Sequence, residues 1–152
     1  MNKKVKIIRD LILVEKELNS AQAGVVSVSL KKDSFAQFAT NFVYQNKNIF
    51  FYVDNEELLR TINSLAKFTI LKEKNVTKEL IEKNNPLYRL FSIVVTGVIR
   101  EAEEQKTIRE IAQSFIEKYS GKLILDEKET QSRNKLLFVD SEELLAFDEI
   151  GF

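Results

Sequence analysis

The sequence predicts a mainly β protein with helices: an antiparallel barrel of six or seven strands, closed or nearly closed, with the helices at its periphery. Three observations predict it. Short polar turns separate successive apolar runs, and such links join antiparallel neighbours because parallel crossovers need a dozen residues or more. Residues 87–100, LYRLFSIVVTGVIR, form a long, β-branched and almost continuously apolar run. Helical periodicity is confined to a few segments, too few to cover both faces of an open sheet, and closure removes the edges that would stay exposed. A β-sandwich is the alternative architecture.

In chain order, residues 5–20 read as an amphipathic helix, with Ile8, Leu11, Ile12 and Leu18 on one stripe. Residues 24–30, GVVSVSL, alternate as a strand, and KKDS at 31–34 is a polar turn. A second strand is expected over 35–44 and a third over 49–53, the turn Asn46-Lys47-Asn48 completing a three-strand meander. Asp54 and Asn55 are N-cap residues, and Glu57 completes a capping box with Asp54. The short helix that follows is expected to bury Leu58, Leu59, Ile62 and Leu65. Residues 67–73 form a fourth strand, and a charged excursion with a helical turn near 78–83 runs to Pro86. Residues 87–100 are then the central strand, buried on both faces, with Gly97 marking a bulge or a barrel corner. Residues 103–119 carry the clearest helical spacing, closed by Lys118 and by Gly121 just past the end. A brief extended piece at 123–125 and a polar loop at 129–135 lead to two closing strands, 136–139 and 144–147, around the turn DSEE.

The 152 residues, 44% apolar and 30% charged, fit one soluble domain spanning 1–152. Basic and acidic residues balance at 23 each, so no net field favours nucleic acid or an anionic membrane, and neither is expected as a partner. No apolar run approaches a membrane span, and the N-terminus lacks the apolar core of a signal peptide, so a cytoplasmic location is expected. Cysteine is absent, which excludes disulfides and thiolate chemistry. Histidine is absent too, which excludes a Ser-His-Asp triad and leaves only all-oxygen metal sites; no metal ligand set and no catalytic residue is identified. Chemistry at neutral pH would have to come from a bound cofactor, or from carboxylates, lysines or tyrosines with shifted pKa values.

The run ATNFVYQNKNIFFYVDNEELLRTINSLAKFTIL at 39–71, GVVSVSL before it, and FSIVVTGVIREAE leading into KTIREIAQSFIEKY after it together resemble the pyridoxamine 5'-phosphate oxidase-like proteins, the FMN-binding split-barrel superfamily. The resemblance covers about residues 5–149 and rests on the order of elements more than on any one motif, NFVY and SIVVTG matching best. It implies a six- or seven-stranded antiparallel split barrel with peripheral helices. It also implies an FMN cofactor in a cleft between the two subunits of a homodimer. By that resemblance the flavin ring lies against Ala39, Thr40, Asn41 and Phe42, with Tyr52 and Val53 near the ring and ribityl chain and Ser92 contacting flavin from the long strand. The family's basic phosphate-binding pair falls on Glu57 and Leu58, and Arg60 is the one basic residue nearby before Lys67. LLAFDEIGF loosely resembles the end of the haem-degrading branch, whose haem-ligating histidine has no counterpart here.

The function implied is a flavin-dependent oxidoreductase of unspecified substrate. The alternative is a split barrel that has lost FMN and serves as a ligand-binding or interaction module, since Asp54, Glu56 and Glu57 crowd the helix start where a phosphate would sit. A haem-binding relative ranks third. Phe50, Phe51 and Tyr52 are expected to serve core and interface packing rather than a stacking platform.

Overall fold

The computed structural model describes residues 2–120 and 134–152. Its first element corrects the expected opening helix. Residues Lys3–Ile7 form a strand, β1, antiparallel to the end of the last strand, with Lys3 opposite Gly151 and Ile7 opposite Phe147. The helix α1 covers only Leu11–Ser20, because Asp10 caps it: its Oδ1 accepts from the Ile12 and Leu13 N–H groups at 3.1 and 3.3 Å. Val14 and Leu18 point into the core, whereas Ile12, on the expected stripe, is 83% exposed. Glu17 on α1 takes Lys72 and Lys74 at 2.8 and 2.7 Å. Burial opposes its charge, but these two lysines outweigh that and hold its pKa below the usual carboxylate value.

Strand β2, Gly24–Ser29, pairs with β3, Phe35–Thr40, as expected. The second strand then stops short of its expected end. β4, Val43–Gln45, is a separate strand that forms a hairpin with β5, Asn48–Val53, through Asn46 and Lys47, both at positive φ. No pairing joins β3 to β4 or β5, so the three-strand meander is replaced by two hairpins. Phe42 breaks the strand by turning fully inward against Phe68, ring centroids 4.6 Å apart.

β6, Leu65–Glu73, β7, Tyr88–Glu101, and β8, Lys135–Gly151, complete the sheet. The order is β3-β2-β6-β7-β8-β5-β4, antiparallel throughout, with β1 added along β8. The two ends of this path, β3 and β4, are joined by Asn41 and Phe42 alone. Three peptide links reach at most about 11 Å, so the sheet must curl until its edges meet. They meet without pairing, which makes the barrel split rather than closed.

β8 is one strand of 17 residues, not two strands around a turn. Thr96 faces Glu143 while Gly97 faces Ser141, so Glu142 is an extra residue in a β-bulge. The bulge flips the inward phase from Leu137 and Val139 to Leu144 and Ala146. That phase break in the apolar pattern imitates a turn. The expected piece at 123–125, and 129–133 of the expected polar loop, lie outside the described residues.

The interior is filled from β2, β5, β6, β7 and β8, with Val26, Phe51, Phe68, Ile93 and Leu137 fully buried, and α1 plugs it through Val14 and Leu18. α2 is short, Glu56–Leu59, and is capped by Asn55, not by Asp54. Leu58, Leu59 and Ile62 pack on the core, but Leu65 opens β6 and is half exposed. α3, Lys78–Asn84, sits in the charged excursion. α4, Gln105–Tyr119, lies outside the barrel over β4, β5 and the start of β8, where Ile111, Phe115 and Tyr119 meet Val43, Phe50 and Leu136. Phe50 and Phe51 are therefore packing residues, as expected. β7 is buried on its inner face only. Leu90, Ser92, Val94, Thr96 and Val98 alternate outward and are partly buried within one chain, which does not by itself supply the expected burial on both faces. Among the described residues no helix is long and apolar enough to cross a membrane.

Candidate functional site: a groove on the outer face of the barrel

Strict alternation in β2, β3 and β6 sends every second side chain away from the core. Val25 and Ser27, Gln37 and Ala39, and Thr69 and Leu71 thus share the outer face, and together they line an open groove of about 460 Å³. The register fixes their places: Ala39, Val25 and Thr69 form one row across three strands, and Gln37, Ser27 and Lys67 the next. Gln37 Nε2 donates to Ser27 Oγ at 3.1 Å, which ties the floor together. The groove is apolar at Ala39, Val25 and Leu71 and polar toward Ser27 and Gln37. Such a surface accepts a flat aromatic body with a few oriented polar contacts.

Of the residues singled out in the sequence, Ala39 lines this groove, and Ser92 stands on the same face directly beyond Leu71, its pairing partner. Thr40 pairs with Gly24 at the end of β3, and its hydroxyl donates to the Asn41 carbonyl at 2.9 Å. Asn41 is exposed where the chain crosses the split. Phe42 and Val53 belong to the interior. Tyr52 lies beneath α4, its ring 4.9 Å from Phe115, and burial pushes its pKa up. Arg60 is exposed at the end of α2. Within one chain the structure therefore unites Ala39 with Ser92 and leaves Tyr52, Val53 and Arg60 elsewhere. The groove residues Val25, Ser27, Gln37, Thr69 and Leu71 were not singled out. The only local signal for them was the alternation of GVVSVSL and the tight turn behind it.

Phe42 is committed to holding the split shut. Its N–H donates to Tyr119 Oη at 3.1 Å, and its carbonyl accepts from Lys118 Nζ at 2.9 Å and lies 3.0 Å from Tyr119 Oη. Tyr119 Oη also donates to the Gln22 carbonyl at 2.7 Å. The Lys118 ammonium stands 3.8 Å over the Phe42 ring. Burial, reinforced by repulsion from Lys72, pushes its pKa down to about 8. Gly24 belongs to the same joint, because a Cβ there would come within 2.2 Å of the Phe68 ring.

No protein-family model matches the chain, and no curated protein matches it. Solved structures do. A putative 5-nitroimidazole antibiotic resistance protein from Bacteroides thetaiotaomicron superposes with a TM-score of 0.74 at 16% identity, over 99% of this chain and 90% of that one. The FAD binding protein from Mycobacterium smegmatis gives 0.68 at 17% identity, over 97% and 99%. A putative pyridoxamine 5'-phosphate oxidase from Corynebacterium glutamicum gives 0.61 at 17% identity, over 97% and 95%. The chain has the split-barrel fold of the pyridoxamine 5'-phosphate oxidase-like proteins. At these identities the likeness speaks for the fold and leaves the site to be judged on its own residues. The groove offers an aromatic ring an apolar floor at Ala39, Val25 and Leu71 and polar contacts at Ser27 and Gln37. The start of this split barrel's α2 does not fit a phosphate. Asn55 Oδ1 already takes the Glu57 N–H at 2.8 Å, and Glu56 and Glu57 occupy the first turn.

Proposed function

We propose that this split barrel binds a flavin, FMN in the first instance, in the outer groove, and works as a cytoplasmic flavin-dependent oxidoreductase. The observation that supports the reading is the groove itself: an apolar floor at Ala39, Val25 and Leu71 on a barrel whose fold is shared with an FAD binding protein. When bound, the flavin supplies hydride chemistry. The chain's part is to hold the ring against β3 and β6 and to place Ser92 beside it. Thr40, Asn41 and Phe42 would support the ring strand from behind, Phe42 through its bonds to Lys118 and Tyr119. A homodimer formed through the outer face would close the groove, and it would bring Tyr52, Val53 and Arg60 into play only if the second copy supplies them.

The acidic start of α2 favours a second reading, a split barrel without flavin that uses the groove for another small molecule. One titration separates the two. Purified protein is expected to quench FMN fluorescence saturably and to carry a flavin absorbance band. A colourless protein with no quenching at micromolar concentration removes the flavin reading and leaves the second.

A further inference from the structure

We infer that the groove continues into an anion subsite at Lys67, so that a ligand whose aromatic body lies on Ala39, Val25 and Leu71 directs its phosphate toward Lys67. The inference rests on the flavin reading and deepens it. It starts from the register. Gln37 on β3, Ser27 on β2, Lys67 on β6 and Thr96 on β7 are successive cross-strand partners, one row across four strands. Neighbours in such a row stand about 5 Å apart. All four alternate outward, and the row offers an amide, two hydroxyls and an ammonium on one side of the sheet. Two of its members, Ser27 and Gln37, line the groove.

Lys67 is the charged member. Lys72 on the same strand and Lys74 just past its end are spent on Glu17, but none of the ion pairs among the described residues involves Lys67. The carboxylate in its row is Glu143 on β8, beyond Thr96, two strand spacings or about 10 Å away. Lys67 lies four residues from Leu71 along β6, about 13 Å, which matches a ring at one end and a tail at the other. Polarity along the groove runs the same way, from Leu71 and Val25 to Ser27 and Gln37. Anions are held by donors of this kind, and a charged donor dominates. The acidic first turn of α2 repels an anion, so the sheet face supplies what the helix start does not.

The test compares FMN with riboflavin, which share the ring and differ in the phosphate, by fluorescence titration of the wild type, Lys67→Gln and Lys67→Arg. Lys67 is exposed, so neither variant disturbs the core. The wild type should bind FMN about tenfold more tightly than riboflavin, the scale of one charge-assisted hydrogen bond. Lys67→Gln should erase that preference while leaving riboflavin unchanged, and Lys67→Arg should keep it. A preference that survives in Lys67→Gln, or its absence in the wild type, overturns the subsite and leaves the flavin reading standing. Failure of the wild type to bind either flavin overturns both.

Discussion

Gly97 carries the bend of the long strand pair. A Cβ built there would lie 1.9 Å from the Asp140 carbonyl oxygen and 2.6 Å from its carbon, and backbone cannot swing aside as a side-chain tip can. The Ser141 N–H freed by the adjacent bulge is taken by Asn48 Oδ1 at 3.0 Å, so the irregularity is hydrogen-bonded and not a defect. Gly97→Ala should therefore cost about 1–3 kcal/mol or more, read as a lower urea midpoint at unchanged slope. An unchanged midpoint would show that the two strands can part at no cost. The glycine was legible in the sequence as a bulge or corner; the extra residue Glu142 on β8 was not, because a phase slip in an apolar pattern looks the same for a bulge and a turn.

Lys118 offers a second residue-scale prediction, in pH. The folded chain releases this proton near pH 8, whereas an unfolded lysine keeps it to about 10.5. Between those values the unfolded state binds more protons, so this residue's effect on stability improves as pH rises. Below pH 8 both states are charged, and the full penalty of burying the ammonium applies. Partial exposure reduces the effect to the order of 1 kcal/mol. Lys118→Met keeps the stem over Phe42 and removes the titration. Wild type should gain stability relative to this variant from about pH 8 to about pH 10. A difference that does not change with pH would mean that Lys118 titrates as an ordinary surface lysine.

Among elements, the boundary between β1 and α1 shows what local pattern can and cannot say. Ile8 suits a helical stripe with Leu11, Ile12 and Leu18, but Val5 and Ile7 before it pair with residues of β8 some 140 positions away in sequence. β2, β5, α4 and the two-residue turn at Asn46-Lys47 were readable because their determinants lie within a few residues of one another. The split at Asn41-Phe42 was not, since it depends on where β3 and β4 find partners. The groove shares that fate: its outward-facing residues come from three strands and become neighbours only through register. Asp10 gives the boundary a test whose sign decides it. As the N-cap of α1, Asp10→Ala should cost about 1 kcal/mol of unfolding free energy. In a helix running over 5–20 the same change would sit mid-helix and stabilise slightly, alanine being the better helix former.

The whole molecule presents one face that a single chain leaves uncovered. β7 runs down its middle, with Ser92, Val94 and Val98 outward. Leu71, 65% exposed, flanks it on β6, Leu145 and Phe147 on β8, and Ile7 and Val5 on β1 beyond. α4 covers the opposite side and α1 plugs an end, so neither shields this face. Apolar patches beyond a few hundred Å² are unusual on monomers, and a two-fold contact of about 2,000 Å² in total is what obligate dimers bury. The groove opens on the same face through Leu71, so a second copy seated here would roof it. We therefore expect light scattering at micromolar concentration to give twice the 17.6 kDa of one chain. Leu71→Lys with Leu145→Lys, two charges on exposed positions of this face, should return the monomer mass without unfolding the barrel. Flavin affinity should fall with it, because an unroofed groove leaves one face of the ring in water. A wild-type mass near 17.6 kDa would refute the dimer and, with it, the roofed groove.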